Sequence, residues 1–178
     1  MTAANLNLGA GTLYWAPLAS TEPMNLTTAW AVAWKKIGYT QEGHTMTYDL
    51  TTEDIYVAEE IEPVLVENTK LAVMVGFAMA EMTVQSLTLA LNGGTVTTTA
   101  TETTFDPPNP ALAPTAVMLG WESRSADERI VWRNCVQTKA VEIKRAKAPT
   151  YVTLPVAFKV LKPSSGRSYK HIVSLARN

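Results

Sequence analysis

Six carboxylates crowd the stretch DLTTEDIYVAEEIEPV, Asp49 to Val64: Asp49, Glu53, Asp54, Glu59, Glu60 and Glu62, with no base among them. Two carboxyls held roughly 5 to 10 Å apart across a cleft can hydrolyse a glycosidic bond. That chemistry also needs aromatic platforms and a rigid support, and neither is visible around this run. The two histidines, His44 and His171, sit in no zinc-ligand spacing, and the single Cys135 has no histidine near it in sequence. Nucleophile-elbow, P-loop, dinucleotide and EF-hand patterns are all absent. The chain is therefore expected to be no enzyme and to need no cofactor and no metal. Cys135, inside RIVWRNCVQT, reads as a buried structural thiol.

Without a site to serve, the carboxylates must answer to what they face. Residues 1–122 hold three bases and thirteen acids, and residues 123–178 hold twelve bases and three acids, so the charge runs from −10 to +9 although the net is −1. Acidic and basic strands can be neighbours whose side chains pair across one sheet. Alternatively, two ends of opposite sign let copies attract head to tail. The candidate acidic surface is the six residues above, and the candidate complementary surface is Arg124, Arg129, Arg133, Lys144, Arg145 and Lys147. A nucleic-acid reading of that basic third is weak, because its bases alternate with acids and apolar residues and the pI is about 6.1.

The elements that must carry these charges are mostly strands. The 178 residues suit one domain, and 47% hydrophobic content suits a packed core. No run reaches transmembrane length and no secretory leader is evident, so a cytosol-like compartment is expected, and the lone cysteine agrees. The Asn25 sequon has no meaning without secretion. Residues 1–10 are expected to be a flexible arm. The first forty residues read as short extended pieces between turns, with Trp30 and Trp34 as core anchors in a helical turn or an irregular segment. Strands are expected between Thr45 and Ala80, where Leu71, Val73, Val75 and Phe77 alternate with small or polar residues. Glu81 to Asn92 carries both helical and period-two signals; Thr83 as cap and Gly93 past the end favour a helix. Residues 95–114 are Thr-rich and then Pro-rich, hence a long loop whose first half can be an edge strand. AVMLGWES, RIVWRNCVQTK, AVEIKRAK, TYVTLPVAFKVLK and SYKHIVSL then form an antiparallel series, with Pro155 at an edge or a bulge.

Taken in order, GTLYWAP, WKKIGYTQEG, the acidic DLTTEDIYVAEEIEPV, the helix candidate EMTVQSLTLALNGG and the closing RNCVQTKAVEIKRAKAPTYVTLPVAFKVL resemble the major tail tube proteins of long-tailed (siphovirus-type) bacteriophages. The resemblance implies a mainly β fold, an antiparallel sandwich or barrel with one flanking helix, in which six copies close into a ring and rings stack into a hollow virion tube. It implies assembly in the host cytoplasm, contacts with tape-measure, tail terminator and baseplate proteins, and transient, non-specific passage of DNA, with no membrane. Under it the acidic run docks on the basic strands of the next subunit or ring, lines the lumen, or does both, and either Gly38–Asp54 or Thr95–Pro114 is the loop that orders on stacking. Two other readings stand beside it, a secretion-tube ring protein and a β-sandwich carbohydrate-binding module.

Overall fold

The computed structural model describes residues 11–143 and 152–175. Its strands are β1 (Gly11–Pro17), β2 (Lys35–Lys36), β3 (Thr40–Ile55), β4 (Leu65–Met79), β5 (Thr95–Thr98), β6 (Thr103–Asp106), β7 (Val117–Ser123), β8 (Glu128–Gln137), β9 (Leu154–Val160) and β10 (Tyr169–Val173), and its helix is α1 (Val84–Ala90). Eight strands form one antiparallel sheet in the order β2-β1-β7-β8-β9-β4-β3, with β10 also on β8. The sheet folds over on itself. Val73, Val75 and Phe77 of β4 and Val156, Phe158 and Val160 of β9 share one core with Leu13, Leu119, Trp121 and Trp132 of β1, β7 and β8. The period-two pattern of β4 and β9 creates this face, since alternate side chains of a strand point the same way. Phe77 and Phe158 stack at 5.7 Å between ring centroids.

The outer face of β1, β7 and β8 is covered as well. Tyr14, Ala16, Met118 and Val131 lie beneath Trp30 and Trp34, which come from an irregular segment and not from a helical turn. Trp30 stacks on Tyr14 at 4.5 Å. Glycine is required at position 120, where a Cβ would stand 2.5 Å from the Trp30 ring.

The helix is shorter than its sequence signal. Thr83 Oγ1 accepts the Ser86 amide at 3.1 Å and starts α1, and Asn92 at φ 57° with Gly93 at φ 125° ends it. The Asn92 side chain then clasps the end of β8, donating to the Gln137 carbonyl at 2.8 Å and accepting its amide at 2.9 Å.

Two expectations need correction. Thr95–Pro114 is not simply a loop with an edge strand, because β5 and β6 pair with each other as a separate two-stranded sheet. Gly38–Asp54 is not an irregular loop, because all but its first two residues belong to β3. Pro155 lies opposite Ala78 in β9, a strand with neighbours on both sides, yet β8 pairs with β9 only from Phe158 onward, so the proline end is open on that side. The expected arm 1–10 and the second half of AVEIKRAK, 144–147, lie outside the described residues, and its first half, 140–143, is not in a strand.

Candidate functional site

The acidic stretch occupies a projecting arm. β3 and β4 pair from Thr40 opposite Met79 out to Ile55 opposite Leu65, whereas β9 accompanies β4 only from Val73 to Met79. Beyond Ala72 no third strand among the described residues pairs with the hairpin. At about 3.3 Å per residue its tip stands roughly 25 Å out from the sandwich. Every residue from Thr47 to Leu71 is exposed. An isolated two-stranded hairpin is marginal in water, and this one also exposes Leu50, Ile55, Tyr56, Val57, Ile61, Leu65 and Val66. Ile61 is 97% exposed. A monomer does not normally display so long an apolar edge.

Cross-strand partners share a face, so the register assigns the carboxylates. His44, Met46, Tyr48 and Leu50 are on the face that continues the core, opposite Phe77, Val75, Val73 and Leu71. A bulge at Thr51/Thr52 preserves that alternation. Asp54, opposite Val66, lies on the core-side face; Asp49, opposite Ala72, and Glu53, opposite Glu67, lie on the outer face. Glu59, Glu60 and Glu62 are in the tip, closed by the Glu60 amide donating to the Val57 carbonyl at 3.2 Å and the Val64 amide donating to the Ile55 carbonyl at 2.9 Å.

The outer face between arm and β9 is built mostly of small side chains, with the exposed Met74 and Lys159 facing each other across β4 and β9 at its arm-side end. Thr45 and Thr47 on β3, Gly76 and Ala78 on β4, and Pro155 and Ala157 on β9 form a low, uncovered surface. Thr45 Oγ1 donates to the Gly76 carbonyl at 3.2 Å.

The basic residues are distributed differently from the sequence reading. Arg124 is exposed in the β7–β8 turn. Arg129 is 5% exposed, and its guanidinium binds Glu122 Oε1 at 2.6 Å and the Asn25 and Thr28 carbonyls at 2.8 and 2.6 Å. The Trp30 indole donates to the other Glu122 oxygen at 2.9 Å. Burial, followed by Glu122, pushes the neighbouring Tyr14 phenol above its ordinary pKa. Arg133 grips Glu22 in two places, at 2.6 and 3.0 Å, and those hydrogen bonds raise its pKa further despite partial burial. Both arginines thus fasten the 18–34 segment to the sheet. Lys144, Arg145 and Lys147 lie outside the described residues.

Two bases that the sequence reading passed over stand beside the root of the arm. Lys162 and Arg167 flank an open groove of about 660 Å³ whose other walls include Tyr48, Leu71, Val73, Val160 and Tyr169. Neither has an ion-pair partner among the described residues. No group of three metal-ligating side chains occurs among the described residues, and no described helix is long and apolar enough to cross a membrane.

A family described as phage tail tube protein matches residues 3–175. The chain belongs to the phage tail tube protein family. No curated protein matches it. A tail tube protein is a structural, non-catalytic component of the virion tail, and its copies assemble into the tube. The β-rich fold, the single short helix and the antiparallel sheet suit a tail tube subunit.

Proposed function

We propose that this subunit closes into rings of six, that the rings stack into the tube of a long-tailed phage, and that the carboxylates serve two roles in it. The observation that carries the reading is the arm: an exposed, apolar and acidic hairpin extending one edge strand of a sheet whose other edge is β2. Such an edge is completed by strands of another copy, and a closed ring removes it altogether. Glu59, Glu60 and Glu62, at the tip, make contacts between copies. Asp49 and Glu53 share their face with the small side chains of β4 and β9, which forms the lumen wall. There Asp49, Glu53 and Glu67 outnumber Lys70 and Lys159 on the same face, and like-charge repulsion keeps passing DNA from adhering. The tape-measure, tail terminator and baseplate proteins are the remaining partners.

Negative-stain electron microscopy of the concentrated protein tests this. Hollow tubes or six-membered rings are the expected result, and uniform monomers that persist when an assembly nucleus is added would overturn it. Glu59→Lys with Glu60→Lys should shorten or abolish tubes, whereas Asp49→Asn with Glu53→Gln should leave tubes that retain DNA.

A further inference from the structure

The groove at the root of the arm and the arm's tip both expose apolar side chains and carry opposite charge. The groove has an apolar floor of Tyr48, Leu71, Val73, Val160 and Tyr169 and two exposed cations, Lys162 and Arg167, on its rim. The loop that carries those cations is held in place: Asn134 Nδ2 donates to the Lys162 carbonyl at 3.2 Å and Arg133 Nη1 to the Arg167 carbonyl at 2.9 Å. Burial of Val73 and Val160 continues the core to the groove's inner wall, while Tyr48 and Leu71 remain about half exposed. The tip has the converse character, with Tyr56, Val57 and Ile61 exposed among Glu59, Glu60 and Glu62.

The tip cannot occupy its own groove. Extended β3 and β4 hold it roughly 25 Å away along the strand direction. A tip in this groove must come from a second copy, and because tip and groove are different surfaces the contact is heterologous and propagates from copy to copy.

We infer that the tip, Tyr56–Val64, of one subunit inserts into the Tyr48/Leu71/Tyr169 groove of another, with Ile61 on the apolar floor and Glu59, Glu60 and Glu62 against Lys162 and Arg167. This rests on the tube reading and names the receptor surface for its tip. The rim charges set register and partner choice, and the apolar floor supplies most of the attraction. Opposing charges at an accessible rim also make the contact weaken as salt rises.

The test is a charge exchange. Lys162→Glu with Arg167→Glu, and separately Glu59→Lys with Glu60→Lys and Glu62→Lys, should each cut sedimentable tubes at least tenfold while circular dichroism and the thermal midpoint stay at the wild-type value. All five substitutions in one chain should restore tubes. As a second readout, a chain carrying Ile61→Cys and Leu71→Cys should give a disulfide ladder on a non-reducing gel, whereas a mixture of the two single variants should stop at dimers. A wild type that never assembles overturns the tube reading itself. Tubes indifferent to the groove reversal overturn the groove assignment alone. Loss of tubes in both reversals without rescue or a ladder means that something other than the tip fills the groove, and also overturns it.

Discussion

Glu53 stands directly across from Glu67 on the outer face of the arm, two carboxylates paired in a hairpin that no third strand among the described residues supports. Like charges at directly opposed positions destabilise a strand pair. The pair is therefore expected to loosen the arm of a lone subunit. Glu67→Lys turns repulsion into attraction, a change of about 1 kcal/mol, so those amides between Thr52 and Ile55 that bond to β4 should exchange roughly fivefold more slowly in dilute protein. Unchanged exchange would show that the pair does not govern the arm.

The buried pair Arg129–Glu122 predicts a larger effect. Its side chains are only 6% and 16% exposed, so neither charge can turn to water when its partner is removed. Arg129→Met should cost about 3 to 5 kcal/mol, read as a lower urea midpoint in dilute protein. Adding Glu122→Gln should recover part of that loss, because it removes the unpaired buried charge while an amide oxygen can still accept from the Trp30 indole. A cost below about 1 kcal/mol would place the pair among ordinary surface bridges.

Gly120→Ala tests the cover of the outer face. The added methyl would meet the Trp30 ring at 2.5 Å and Trp34 at 3.0 Å, against a close-packed layer. The expected result is a red-shifted tryptophan emission, as Trp30 lifts into water, and a loss of about 1 to 3 kcal/mol. Wild-type emission would mean that the 18–34 segment shifts at no cost.

The sequence made the strands legible where one face alone is buried. Leu154, Val156, Phe158 and Val160 alternate with exposed or half-exposed residues, and that alternation is β9. Thr83 and Gly93 marked the helix correctly, but a helix needs an apolar face to pack, and only Ser86, Leu89 and Ala90 of α1 are buried. Pattern alone could not say that the Asp49–Ile55 strand has no third neighbour, since alternation reports a strand's faces and not its flanks. Nor could it show that Arg129 and Arg133 are consumed internally. Their partners Asn25, Thr28 and Glu22 lie 101 to 111 residues away, and only the topology brings them together. Lys162 and Arg167 gave no signal because an isolated base reads as solvated until a groove is found beside it.

Cys135 should report alkaline stability. Burial pushes its thiol up to about 12 from 9.0. Between those values the unfolded chain releases a proton that the fold retains, so stability falls as pH rises, by about 1.4 kcal/mol per pH unit for this group. Cys135→Ala should remove that slope in urea titrations between pH 9 and 10.5. The native thiol should also resist alkylation at pH 8 until the protein unfolds, and prompt labelling would contradict its burial.

His44 sets the opposite limit. Its ring lies in the interior, 5.0 Å from Trp121 and 5.6 Å from Trp132, and its Nδ1 has no hydrogen-bond partner. Burial lowers its pKa below 6.5, and the negative charge of Glu128 offsets only part of that. Below pH 6.5 the unfolded chain therefore binds a proton that the folded chain refuses, and stability falls with acidification through this group. His44→Phe keeps an aromatic ring between the two tryptophans and removes the titration, so its urea midpoint should fall less between pH 7 and pH 5 than the wild-type midpoint does. Parallel curves would show that the ring titrates as it does in water. Because His44 belongs to β3 at the base of the arm, opposite Phe77, the same acidification should loosen the root from which the arm projects. Relative to the intrinsic rate at each pH, exchange of the β3 amides next to His44 that bond to β4 should accordingly accelerate at pH 5 in the wild type and not in His44→Phe.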